Sequence, residues 1–125
     1  MTTKCLLVFV ALVLVVLISP CNAFRVLGPE DAICKNVNAY FEDCENFVDG
    51  KNSLPTRKCC NNLKILNGGV KYIKNGVRRF CSCIVDFSNS HDHPPYLQYR
   101  IEQLYIACRV HLSFPISEHM DCYKL

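Results

Sequence analysis

Four stretches of the chain place apolar residues at the period of an α-helix. The first opens at Pro29-Glu30-Asp31, because proline fits the first helical position and acids favour the positive end of the helix dipole. Helix one is predicted over residues 29–44, and its apolar face carries Ile33, Val37, Tyr40, Phe41 and Cys44. Residues 24–28 before it are interpreted as a loose leader.

Three more helices follow, separated by Gly, Pro and Asn. Helix two begins near Pro55 and closes at Asn67-Gly68-Gly69, helix three follows Asn75-Gly76 and extends to about Phe87, and helix four covers residues 95–109. The remaining residues, 110–125, alternate without a helical period and include a proline. They are predicted to form an extended tail across the helices, since no partner strand is visible. The predicted fold class is all-α.

The N-terminus has the order of a secretory signal peptide. Lys4 precedes an apolar run of 14 residues, Cys5–Ile18, which is followed by Ser19-Pro20 and the small residue Ala23. A membrane anchor is the alternative, but a span needs roughly 20 apolar residues. Residues 1–23 are therefore predicted to be a signal peptide and residues 24–125 one small secreted domain.

Cysteine content and charge narrow the function. Eight of the ten cysteines lie after residue 23, and an even count in an oxidising compartment predicts four disulfides. Without Lys4 the domain has 13 basic and 11 acidic residues. This weak positive charge excludes a nucleic-acid footprint and permits transient contact with a membrane surface.

Cys59 and Cys60 are adjacent, and their Cα atoms are too close for an unstrained bridge. On a helix they point about 100° apart, so each has its own distant partner. Cys81 and Cys83 diverge in the same way. These spacings are unsuited to a structural zinc site. Chemistry alone leaves all 105 pairings of eight cysteines open.

The order C–C–CC–CxC–C–C, with gaps of 9, 14, 20, 24 and 13 residues between Cys34 and Cys122, resembles the eight-cysteine motif of plant non-specific lipid-transfer proteins, type 1. The resemblance implies a four-helix, disulfide-stapled bundle around an internal hydrophobic tunnel. It also implies the pairs Cys34–Cys83, Cys44–Cys59, Cys60–Cys108 and Cys81–Cys122. The polar Ser82 inside CxC agrees with the type 1 pairing.

The tail adds a second likeness, in Val110–Ser117 and in Asp121 before Cys122. Phe114 stands where the family has a tyrosine that contacts the lipid head group, so that hydroxyl is absent. Gly76-Val77 stand where the family has an Asp-Arg pair at the tunnel mouth. Arg78 is the candidate substitute, although it also suits an ordinary solvated position.

Inward apolar positions of the helices and tail, with Arg78, are the candidate lipid-binding residues. Each apolar one also suits an ordinary helical core. They are Val37, Phe41, Leu63, Leu66, Phe80, Ile84, Ile101, Leu104, Leu112, Phe114, Ile116 and Arg78. The partners implied by the resemblance are fatty acids, lysolipids or phospholipids, bound by a monomer and carried between membranes or into the cell wall.

Two other functions share this cysteine skeleton: inhibition of proteases or α-amylases, for which residues 54–57 are a candidate loop, and membrane-active plant defence. No nucleophile signature is present, and no enzyme activity or cofactor is expected.

His91 and His93 flank Asp92 in a predicted linker. This HxH pattern has no third ligand in the sequence, so no metal site is predicted there.

Overall fold

The structure is a computed structural model that describes the backbone of residues 19–125 and the side chains from Ala32 onward. Most of the predicted signal peptide therefore lies outside the described residues. Ile33–Leu125 form one compact unit, and this unit carries all eight cysteines of the motif.

Four α-helices make up the described chain: α1 at Ser19–Val48, α2 at Arg57–Gly69, α3 at Gly76–Ser88 and α4 at Gln98–Cys108. Short 3₁₀ turns follow at Val70–Tyr72 and Cys122–Lys124. Residues 19–125 contain no β-strand. The all-α, four-helix prediction is confirmed.

Helix α1 is longer than predicted at both ends. Residues 24–28 are helical, so the prediction of a loose leader is wrong. A proline inside a helix removes one hydrogen bond and crowds the carbonyl four residues before it, at a cost of about 3 kcal/mol, yet α1 continues through Pro29. At the other end Phe47 and Val48 extend the buried face, and Gly50 stops the helix with φ of 89°.

A capping hydrogen bond explains where α2 begins, and two prolines explain where α4 begins. The Thr56 hydroxyl accepts a hydrogen bond from the Cys59 N–H at 3.0 Å, which caps α2. Leu97 has extended backbone angles, so α4 starts three residues later than predicted. Two prolines, Pro94 and Pro95, precede it and disfavour an earlier start.

Four disulfides join the helices and the tail. Cys34–Cys83 links α1 to α3, and Cys44–Cys59 links α1 to α2. Cys60–Cys108 links α2 to α4, and Cys81–Cys122 links α3 to the tail. These are the four pairs that the family resemblance implies, with Cα atoms 4.9–5.8 Å apart. The adjacent cysteines of α2 thus reach α1 and α4 separately.

The tail lies against α3 and the end of α2. Phe114 is buried and its ring meets that of Phe80 edge to face, with centroids 5.3 Å apart. Asn67 fixes the backbone nearby: its amide nitrogen donates to the His111 carbonyl at 3.1 Å, and its amide oxygen accepts from the Ser113 N–H at 2.9 Å. The tail therefore forms part of the hydrophobic core.

Candidate functional site

An apolar pocket of about 180 Å³ lies between α1, α2 and α3. One face of α1 and the C-terminal half of α2 form two walls, and the segment between α2 and α3 and the first part of α3 complete the lining. The lining residues are Ile33, Asn36, Val37, Tyr40, Ile65, Leu66, Gly69, Ile73 and Phe80.

Helical spacing brings these side chains together. The four residues from α1 occur at i, i+3, i+4 and i+7, which places them on one face. Val37, Leu66 and Phe80 form the buried part of the lining, each exposing 5% or less of its surface. Ile65, by contrast, is 53% exposed and lies at the rim. The interior of the pocket is therefore apolar, and its rim is accessible to solvent.

Polar groups at this site are few. Asn36 is exposed and Tyr40 is partly buried, and both belong to the α1 wall. A lining of this composition is suited to burying hydrocarbon, with one or two polar side chains near a polar end. It holds no nucleophile–base pair of the kind that covalent catalysis uses.

The candidate lipid-binding residues divide between this pocket and the core behind it. Val37, Leu66 and Phe80 line the pocket. Leu112 is partly buried and packs against the core. The core proper contains Phe41, Leu63, Ile84, Ile101, Leu104, Phe114 and Ile116, each at most 5% exposed. The structure thus has a pocket where the resemblance implies a tunnel, with most of the predicted tunnel residues packed together.

Six lining residues are absent from the predicted set: Ile33, Asn36, Tyr40, Ile65, Gly69 and Ile73. Ile33 and Tyr40 share the predicted apolar face of helix one, so the periodicity carried a signal for them. Ile65 and Gly69 had none, because an exposed isoleucine and a helix-ending glycine are read as surface positions. Their role depends on where α2 meets α1.

Arg78 lies away from the apolar pocket. Its guanidinium donates to the Leu125 carbonyl at 3.3 Å, beside a separate pocket lined by residues 75–78 and Leu125. Gly76 explains why no aspartate stands there: a Cβ atom would lie 2.1 Å from the Val70 carbonyl oxygen. The close approach of these two backbones requires glycine.

The candidate inhibitory loop is shaped differently from an exposed, extended loop. Leu54 is 75% exposed, but Thr56 is the N-cap of α2 and Arg57 is its first residue. The only arginine of the segment is therefore held in a helical turn.

In the part of the chain that the structure describes, no helix combines the length and the apolarity that a membrane crossing needs.

Four helices held by four interlocking disulfides, with an apolar pocket against α1, define the class of eight-cysteine helical proteins. No family model matches the chain. Among curated proteins, it is 35% identical to non-specific lipid-transfer protein 13 of Arabidopsis thaliana over 122 residues, covering 97% of this chain and 94% of that one. The chain belongs to the non-specific lipid-transfer protein family.

Two other relatives are similar over most of their length. Protein ARABIDOPSIS THALIANA ANTHER 7 is 37% identical over an alignment of 98 residues, with 71% of this chain and 69% of the relative covered. Non-specific lipid-transfer protein 3 of Oryza sativa subsp. indica is 30% identical over 93 residues, 74% of each chain. The aligned regions are long enough to take in most of the eight-cysteine domain.

Proposed function

We propose that the protein binds the acyl chain of a fatty acid, lysolipid or phospholipid in the apolar pocket and transfers it between membranes. The observation that carries this proposal is the pocket itself, whose interior surfaces come from Val37, Leu66 and Phe80. The names of the relatives, which describe lipid transfer, support it. The predicted signal peptide makes the proposed carrier a secreted one.

The pocket must widen to hold a whole acyl chain. Its volume of about 180 Å³ is below the roughly 300–1,000 Å³ of typical ligand sites. Burial contributes about 0.8 kcal/mol per methylene, so a micromolar dissociation constant, about 8 kcal/mol, requires roughly ten buried methylenes. We therefore expect the pocket to be one part of a longer channel that forms when lipid binds.

Such a channel would extend from the pocket past the side chain of Phe80. Its ring lines the pocket on one side and contacts Phe114 on the other. A shift of the Phe80 ring brings an entering chain against Phe114, and then against Leu112 and Ile116 of the same tail. This gives the predicted tail residues a role in the lipid-bound state.

Head-group selection is expected to be weak. Asn36 and Tyr40 are the polar lining residues, and the lining contains no Asp, Glu, Lys, Arg or His. Arg78, the sequence candidate for this role, instead donates a hydrogen bond to the Leu125 carbonyl. With no charged residue in the lining to select a head group, and with apolar walls that discriminate weakly between chains differing by one methylene, a monomer that accepts several lipid classes is expected.

Displacement of a fluorescent fatty acid, followed by native mass spectrometry, tests the proposal. Residues 24–125 with disulfides intact should bind the probe one to one, release it to lysophosphatidylcholine, and accelerate lipid exchange between donor and acceptor vesicles. The same preparation should leave trypsin and α-amylase active. Failure to bind any acyl ligand, together with inhibition of either enzyme, would replace the carrier with an inhibitor.

A further inference from the structure

A second cluster of side chains lies where α1, the segment between α3 and α4, and the tail meet. The Nε2 atom of His91 is 2.7 Å from Glu45 Oε1, and the Nε2 atom of His93 is 3.9 Å from Glu45 Oε2. His93 Nε2 is also 3.5 Å from Glu118 Oε1. None of these residues lines the apolar pocket.

The Nδ1 atom of each histidine lies within hydrogen-bonding distance of an oxygen atom. His93 Nδ1 lies 2.7 Å from the Pro94 carbonyl, so it must donate. His91 Nδ1 lies 3.3 Å from the Ser90 hydroxyl, which in turn donates to the Phe87 carbonyl. Such contacts hold Nδ1 as the donor in each ring, which is the arrangement in which Nε2 binds a metal once it has lost its own proton, as in metal sites with a second shell.

The two carboxylates are positioned as well. Tyr96 uses its hydroxyl to donate to Glu45 Oε2 at 2.5 Å and its backbone N–H to donate to Glu118 Oε2 at 2.7 Å. Glu45 and Glu118 expose only 11% and 14% of their side chains, and His93 exposes 4%. His91 is 35% exposed and leaves a path from solvent.

We propose that Glu45, His91 and His93 form a binding site for a divalent transition-metal ion, Zn²⁺ by ligand chemistry, with Glu118 as the fourth ligand. Two imidazole nitrogens and carboxylate oxygens are a characteristic donor set for zinc. The ligand atoms of the first three residues all lie within 4.8 Å of one another. The distance between ligand atoms in tetrahedral zinc is about 3.3 Å for bonds of roughly 2.0–2.1 Å, so the site closes by small side-chain movements.

In the metal-free arrangement a proton occupies part of this site. His93 Nε2 is 2.7 Å from the Ser88 carbonyl, and only a protonated nitrogen is stable against that oxygen. Metal binding releases this proton to solvent, puts the ion in its place and moves the His93 nitrogen toward Glu118. The ion then links α1 to the tail, a connection that none of the four disulfides seen among the described residues makes.

Isothermal titration of the chelator-treated, disulfide-bonded protein with Zn²⁺ at pH 7.5 tests this site, with native mass spectrometry for stoichiometry. One ion per chain is expected. His91→Gln should weaken binding by more than about tenfold, the least that even second-shell changes cost at metal sites. The partly exposed His91 is chosen because its loss leaves the buried His93 in place.

Matched controls separate this site from general histidine binding. Asp92→Asn lies between the two histidines, and His119→Gln lies in the tail; both side chains are exposed and outside the cluster, so both variants should bind zinc like the wild type. Glu118→Gln should lower the affinity if it supplies the fourth ligand. Absence of saturable one-to-one binding up to millimolar Zn²⁺, or equal binding by His91→Gln, overturns the proposal.

Discussion

Gly69→Leu should block lipid binding without damaging the fold. Gly69 lines the apolar pocket, and a Cβ atom built on it meets no atom within 4 Å. Its backbone is right-handed helical, with φ of −87°, so leucine is tolerated there. The new side chain therefore occupies space that is open in the structure.

The size of the effect follows from the added volume. Leucine adds four carbons, and each one that displaces a lipid methylene removes about 0.8 kcal/mol of burial. The loss is then up to about 3 kcal/mol, or roughly 200-fold in the dissociation constant. Replacing a helical glycine also raises helix propensity by up to about 1 kcal/mol, so the variant should unfold no earlier than the wild type.

Gly68→Leu provides the matched control. Gly68 is its exposed neighbour in α2, and its Cβ position is equally open, but it does not line the pocket. Fatty-acid probe titration of the two variants and the wild type is the assay, with circular dichroism as a check on folding. Wild-type affinity in a folded Gly69→Leu protein would remove this pocket from the binding site.

Three further substitutions test the packing around the site. Phe114→Ala should lower the free energy of unfolding in guanidinium by about 3–5 kcal/mol, because it empties a buried site beside Phe80; a loss under 1 kcal/mol contradicts that packing. Asn67→Ala should speed amide hydrogen exchange at Ser113, whose N–H it accepts, and unchanged exchange would show that Asn67 does not hold the tail. Thr56→Ala should cost about 1 kcal/mol of stability through loss of the α2 cap, with Thr56→Ser retaining it; equal stability of the two contradicts the capping role.

The helices were predictable because a buried helix face repeats along the sequence. Cysteine positions belong to the same pattern: Cys44 and Cys59 lie on buried faces that meet, and the structure joins them. The partner of each cysteine was not accessible from its own spacing. It came from the family resemblance, since a disulfide depends on which helices cross, and this is not a local property.

Helical periodicity could not predict which inward residues line the pocket and which belong to the core. Val37 and Phe41 lie on the same face of α1 and are equally buried, yet only Val37 touches the pocket. The two residues differ in what they face. Val37 faces the pocket that Leu66 and Phe80 also line, and Phe41 faces the core. A one-dimensional pattern identifies the face of a helix and says nothing of what packs against it.

The polar cluster shows the same limit over a greater distance along the chain. His91 and His93 were evident as a pair, but Glu45 comes 46 residues before His91, and helix one was predicted to end at residue 44. The structure extends α1 to Val48, and this added turn carries the carboxylate to the histidines. An error of one helical turn was enough to hide the third residue of the proposed site.

The disulfides account for how so small a domain keeps a pocket open. An enclosed void costs about 24 cal/mol per Å³, so 180 Å³ represents at most about 4 kcal/mol, and less because the pocket opens to solvent. Cys34–Cys83 and Cys44–Cys59 join the α1 wall to α3 and α2, and two disulfides typically contribute about 4–8 kcal/mol together. The stabilisation from these two bridges therefore matches or exceeds the cost of the unfilled space. Because the bridges act on the unfolded chain, the walls remain free to shift by the small distances that the proposed entry of an acyl chain requires.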